Sequence, residues 1–156
     1  MTDVTHATTT NARLHLDLIT TLRAVPAQFA WALGRLDGRK NFSYCLWKLP
    51  EGKRADDLIG GAALPDAYLQ VAGTAQAMTV DVRMIDEGRW QNFTVGRPPT
   101  KKRFGRQKTA TIRWLTHSLV VRDNEVFTAT QAAVVFQHYF ERGTLPTGYE
   151  LRPVAP

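Results

Sequence analysis

The stretch that most constrains the fold covers residues 124–154, NEVFTATQAAVVFQHYFERGTLPTGYELRPV. It carries a helix start, a helix stop and a short strand in sequence. Thr128 followed by Gln131 forms a capping box: the hydroxyl accepts from the backbone N–H three residues on, and the amide reaches back to the cap. Glu125 lies just upstream, where a carboxylate favours the positive end of a helix. Ala132, Ala133, Phe136, Tyr139 and Phe140 recur at three- and four-residue steps, so one helical face is apolar. Arg142 suits a last turn and Gly143 a left-handed cap. Leu145-Pro146-Thr147-Gly148 then turns the chain, and Tyr149, Leu151 and Pro153 lead into a strand. A helix with one long apolar face needs a sheet or another helix to cover it.

The upstream sequence supplies that sheet. Leu14, Leu16 and Leu18 alternate with His15 and Asp17, the period of a half-buried strand; extending the run to Leu22 gives a helix instead, and the pattern alone leaves both open. Pro26 suits the first turn of a helix with Phe29, Ala30, Leu33 and Leu36 on one face, followed by an Asp37-Gly38 turn. Residues 42–49 (FSYCLWKL) predict a strand ending at Pro50, and residues 51–65 a loop with a short turn of helix. Residues 67–73, 77–85 and 90–95 predict three strands. The second has Met78, Val80, Val82 and Met84 on one side, and Glu87-Gly88 turns it into the third. Short links between alternating strands give an antiparallel meander. Residues 109–115 and 118–122 continue the strand pattern. The predicted fold class is α+β: an antiparallel sheet of five to seven strands, largely a meander, covered by one or two helices. The face bearing Val80 and Val82 is expected under the last helix.

Residues 12–156 are expected to form a single α+β domain, since 156 residues suffice for one core. The Thr-rich residues 1–11 predict a flexible tail without the basic and apolar regions of a signal peptide. Apolar residues make up 44% and charged residues 22%, the balance of a soluble globular chain. No apolar run approaches the roughly 20 residues of a membrane-spanning helix, so no membrane partner is expected. The single cysteine, Cys45, rules out an internal disulfide and fits a reducing, cytoplasmic setting.

The formal charge of +6 is unevenly placed. Lys101, Lys102, Arg103, Arg106 and Lys108 hold five positive charges with no acid among them; without them the balance is 6 − 5 = +1. This segment is the chief candidate for a partner contact, with Arg97, Phe104, Trp90 and Trp114 joined to it as a basic, aromatic patch suited to an acidic protein. A solvated hairpin loop is the plain structural reading of the same residues. Nucleic acid is the alternative partner for residues 97–108, with cations on phosphates and Phe104 stacked on a base. Trp31, Trp47, Trp90 and Trp114 otherwise suit the core and its edge.

Signals for enzymatic chemistry are weak. His6, His15, His117 and His138 lack metal-ligand spacing, and Cys45 has no CxxC partner; a zinc site from Cys45, His117 and His138 would have to be assembled by the fold. Ser43, Ser118 and Cys45 stand in no nucleophile motif. No phosphate-binding glycine loop is present, and no cofactor or metal is expected. Asp56-Asp57 and Asp86-Glu87 are paired acids in loops, where they aid solubility. A small enzyme without a recognisable motif is therefore a further alternative, behind a non-enzymatic binding module.

The segment EVFTATQAAVVFQHYFERGTLP, followed by a short aromatic-Leu-Arg strand, resembles the C-terminal end of the Imm1-like immunity proteins of bacterial polymorphic toxin systems. YLQVAGTAQAMTVDVR and RWQNFTVGRP are similar to the central meander of such small α+β proteins. The resemblance implies a non-enzymatic inhibitor that binds a co-produced toxin domain in the cytosol. It assigns no functional residue.

Overall fold

The computed structural model describes residues 4–58, 65–99 and 108–155. Among the described residues nine strands and two helices follow one another in the order β1 (His6–Thr10), β2 (Leu14–Asp17), α1 (Val25–Gly34), β3 (Ser43–Lys48), β4 (Tyr68–Gly73), β5 (Met78–Asp86), β6 (Arg89–Gly96), β7 (Thr109–Trp114), β8 (His117–Arg122), α2 (Ala129–Arg142) and β9 (Glu150–Pro153). Short 3-10 turns at Ala55–Leu58 and Asp123–Glu125 complete the pattern. Seven strands make one sheet, ordered β2-β1-β3-β4-β5-β6-β9, with every neighbouring pair antiparallel. The fold is the α+β class expected from the sequence.

The last helix starts and stops where its residues dictate. Thr128 accepts from the Gln131 backbone N–H at 3.3 Å, and Gln131 Oε1 accepts from the Thr128 N–H at 3.0 Å. Gly143 closes the helix at φ 71°, donating its N–H to the Tyr139 carbonyl at 2.8 Å. A side chain there would be strained, because the left-handed region suits glycine. Helix α1 has Pro26 in its first turn, and no side chain caps it. It buries Val25, Phe29 and Leu33, while Ala30, expected on that face, is exposed.

Both helices lie on one face of the sheet. Phe29 of α1 meets Phe136 of α2 edge-on at 5.6 Å between ring centres, and Tyr44 of β3 stacks beneath Phe136 at 5.7 Å. Around them pack Leu46, Leu69, Val71, Val80, Val82, Phe93 and Val95, the alternate positions of β3 to β6. Val80 and Val82 are buried beside the helix layer, as the alternation of β5 predicts. Glu87 (φ 49°) and Gly88 (φ 77°) make the tight turn between β5 and β6, with Asp86 opposite Arg89. The primed turn matches the right-handed twist of the strands it joins.

Three expectations need correction. Residues 6–10 are not a tail: they form β1, paired on one side with β2 and on the other with β3, and Ala7 and Thr9 are buried. Leu14–Asp17 is a strand, as its alternation suggests, but its leucines are not the buried set: Leu14 is 54% and Leu16 52% exposed. They share the helix-bearing face with Thr8 and Thr10, at the sheet edge, where helix coverage ends. Finally, β7 and β8 do not continue the meander. They form a separate two-stranded arm.

Candidate functional site

The sequence-predicted patch divides in the structure. Lys101, Lys102, Arg103, Phe104 and Arg106 lie outside the described residues. Arg97 and Lys108, which flank them, are both fastened to the 3-10 turn Asp123–Glu125. Arg97 donates from Nε to the Val126 carbonyl at 2.9 Å and from Nη2 to the Asp123 carbonyl at 3.2 Å. Its backbone N–H donates to Asn124 O at 2.7 Å, and Asn124 Nδ2 donates back to Arg97 O at 3.1 Å. The Lys108 carbonyl accepts from the Asp123 N–H at 2.9 Å. One turn thus holds both flanks of the basic segment. A Cβ at Gly96 would lie 2.6 Å from Asn124 Nδ2, so a side chain there would displace the amide that donates to Arg97 O.

Neither tryptophan joins Arg97 and Lys108. Trp90 pairs with Ile85 at the other end of β6, roughly 24 Å along the strand from Arg97 at about 3.4 Å per residue. It is 40% exposed, with the Arg83 guanidinium 5.9 Å from its ring centre. Trp114 ends β7, roughly 20 Å from Lys108 by the same rise, with its ring 5.7 Å from that of His117.

The arm provides a surface that the contiguous basic run had obscured. Ile112 and Val121 turn inward and are buried. The tip is pinned where Leu115 N–H donates to the Gly38 carbonyl at 2.6 Å, and the base where the turn after β8 binds Arg97. Because strand side chains alternate, the opposite face carries the pairs Thr109–Arg122, Thr111–Val120 and Arg113–Ser118. All six are exposed, Val120 to 63%. Two arginines thus bracket an apolar residue on a face with no acid among its six residues. The signal was present in sequence as the alternation of Arg113 with Ile112 and of Val120 and Arg122 with Val121.

On the sheet face away from the helices, one cross-strand row runs His15, Thr9, Cys45, Gln70, Asp81, Thr94, Arg152. His15 Nδ1 and Trp47 Nε1 meet the Thr9 hydroxyl at 2.8 and 3.0 Å. Burial pushes the Cys45 thiol up to about 12, which keeps it protonated and poorly nucleophilic near neutrality. Thr94 donates to Asp81 at 3.0 Å. Burial nonetheless pushes the Asp81 carboxyl up to about 6, against the lowering effects of that bond and of Arg152, while the nearby Glu125 charge also raises it. Glu125 is itself buried and bound by Arg152.

Cys45, His117 and His138, considered together as zinc ligands from sequence, lie on β3, the tip of the arm and α2; His138 Nδ1 is 2.8 Å from the Thr144 carbonyl oxygen. Among the described residues no group of three or more His, Cys, Asp or Glu side chains is placed to hold a metal ion. Among them, too, no helix is long and apolar enough to cross a membrane. No family model, curated protein or solved structure matches the chain.

Proposed function

We propose that this chain is a non-enzymatic protein-binding module that takes an acidic protein partner on the exposed face of its β7–β8 arm. The observation that carries the reading is the arm face itself, where Arg113 and Arg122 bracket the exposed Val120 on a hairpin pinned at tip and base. Arginine is enriched where interfaces concentrate their energy, and the exposed Val120 adds apolar area between the two. Lys101, Lys102, Arg103, Arg106 and Lys108 precede β7 in the sequence and carry charge of the same sign. Arg97 serves as an anchor in this reading, since its guanidinium is engaged by two carbonyls. The resemblance to immunity proteins gives the partner a specific form: a co-produced toxin domain, bound and blocked in the cytoplasm.

The test is association of the purified chain with the toxin domain encoded beside it, if one is present, or otherwise with proteins recovered from its native host. Arg113→Glu combined with Arg122→Glu should slow association at least about tenfold at low salt, and the difference should shrink as salt rises. The melting temperature should stay close to that of the wild type, because both side chains are exposed. An unchanged association rate would remove the arm from the interface. Salt-sensitive binding of labelled DNA or RNA by the wild type, lost in the variant and with no protein complex formed, would replace the proposal with the nucleic-acid reading.

A further inference from the structure

A concave feature lies between α1 and the β2–β1 edge. It encloses about 410 Å3, within the range of pockets that take small organic ligands. Its two ends differ chemically, and the chain path explains why. Helix α1 begins after the segment that leaves β2 and ends just before the turn into β3. The C-terminal end therefore gathers Arg35, Asn41 and Ser43 beside Thr10, which pairs with Tyr44. The N-terminal end gathers Leu16, Leu18, Ile19 and Leu22. Leu22 is 81% exposed and Leu16 52%, so much of this apolar surface is open to water.

Trp31 lies between the two ends, 58% exposed, with the Arg35 guanidinium 4.2 Å from its ring centre. One face of Arg35 is thus held by the indole, which leaves its in-plane N–H donors for another group. Among the described residues Arg35 forms no ion pair with an acid. The one acid in the lining, Asp17, is already bound by Arg54 at 2.7 Å and by the Ala55 N–H at 2.7 Å. Those partners hold its carboxyl below the usual range, against the opposing effect of burial, so it stays charged but satisfied. Gln28 is likewise occupied, donating to the Ile19 and Arg23 carbonyls at 2.8 and 2.9 Å and fixing the loop that forms the apolar end.

We infer that this groove binds a small amphiphilic anion: a carboxylate or similar monoanionic head held by Arg35 and the neighbouring Asn41 and Thr10, and a short aliphatic or aromatic body laid along Trp31 toward Leu16 and Leu22. The head gains a charge-assisted hydrogen bond, and the body covers leucines that are otherwise open to water. This site is separate from the arm and does not depend on the arm's partner.

Octanoate and octanol, which share a body and differ in head, are the probes, with benzoate testing an aromatic body. Titrations of the isotope-labelled protein followed through backbone amide resonances should show saturable shifts in β1, β2 and α1 with octanoate. Octanol should bind at least about tenfold more weakly. Arg35→Gln should weaken octanoate about tenfold or more, leave octanol and the melting temperature unchanged, and be partly rescued by Arg35→Lys, which keeps the charge but loses the planar fork. Trp31→Ala should weaken both probes. Equal binding of octanoate and octanol, wild-type affinity in Arg35→Gln, shifts confined to other surfaces, or no saturable shift at millimolar probe would each overturn the inference.

Discussion

Arg152 on the edge strand β9 forms a two-pronged contact with Glu125, Nε to Oε2 at 2.8 Å and Nη2 to Oε1 at 3.0 Å. The same carboxylate accepts the Arg122 backbone N–H at 2.7 Å. One buried acid therefore ties the last strand of the sheet to the base of the arm. Desolvating Glu125 is costly, and the geometry offsets that cost only while all three bonds are made.

Removing one partner should accordingly be worse than removing both. Arg152→Ala leaves a buried carboxylate and should cost about 3–5 kcal/mol in urea unfolding. Arg152→Leu combined with Glu125→Gln should cost clearly less than Arg152→Ala alone. A double variant as unstable as the sum of the singles would mean the two residues are not coupled.

The caps of α2 make a second prediction. Thr128→Ala should lose about 1 kcal/mol, and Thr128→Ser should be nearly neutral. Gly143→Val should lose about 1 kcal/mol or more, since its φ of 71° lies in the left-handed region. Midpoints of thermal or urea unfolding decide both.

Packing under the same helix sets a third expectation. Phe136 is fully buried between Phe29 and Tyr44. Phe136→Ala should cost about 3–5 kcal/mol. Val134→Ala, on the outer side of α2 and 56% exposed, should change stability by no more than about 0.5 kcal/mol.

Asp81 gives the pH dependence. Its folded-state carboxyl titrates near 6, above the ordinary 3.8. Between those values the native protein binds more protons than the unfolded chain, so this group makes stability fall as pH rises from about 4 to about 6. Asp81→Asn should therefore be more stable than wild type at pH 7, by roughly 1–3 kcal/mol. The two proteins should converge below about pH 4, where Asp81 is protonated whether folded or not. His6 acts in the opposite sense: burial first, then the Lys48 charge, lowers it to about 4, so its contribution is lost as pH falls from about 6.5 to about 4. Comparing Asp81→Asn with wild type across pH isolates the Asp81 part, since His6 is common to both.

The legible parts of the fold were those specified locally. Thr128, Gln131 and Gly143 fix the ends of α2 through bonds within a few residues, and Glu87-Gly88 fixes the β5–β6 turn. Strand β1 was hidden because HATTT has no apolar alternation. Its burial comes from neighbours on both sides, and Thr9 is made compatible with burial by His15 and Trp47, contacts across 6 and 38 residues. The detachment of the arm was equally out of reach, since β7 and β8 alternate like any sheet strand and only non-local pairing separates them. At the candidate site, the run of cations drew attention to residues 101–108, while Arg113 and Arg122 sit nine positions apart and meet the same face only through the hairpin register. Arg97 looked like a free cation in sequence because its acceptors are backbone carbonyls, which every residue has.

The helix that covers the middle of the sheet is also the last one made. By the time Gly96 has been added, six of the seven strands of the main sheet exist, yet Val80, Val82 and Phe93 await α2. Synthesis from Gly96 to Arg142 takes roughly 2–9 s at about 5–20 residues per second. During that interval the nascent chain presents a partly formed sheet with an apolar face and an unpaired β6 edge, the features that favour aggregation. Truncation before α2 should therefore not yield a smaller stable protein, and a ribosome stalled between β8 and α2 would hold a chain in need of a chaperone.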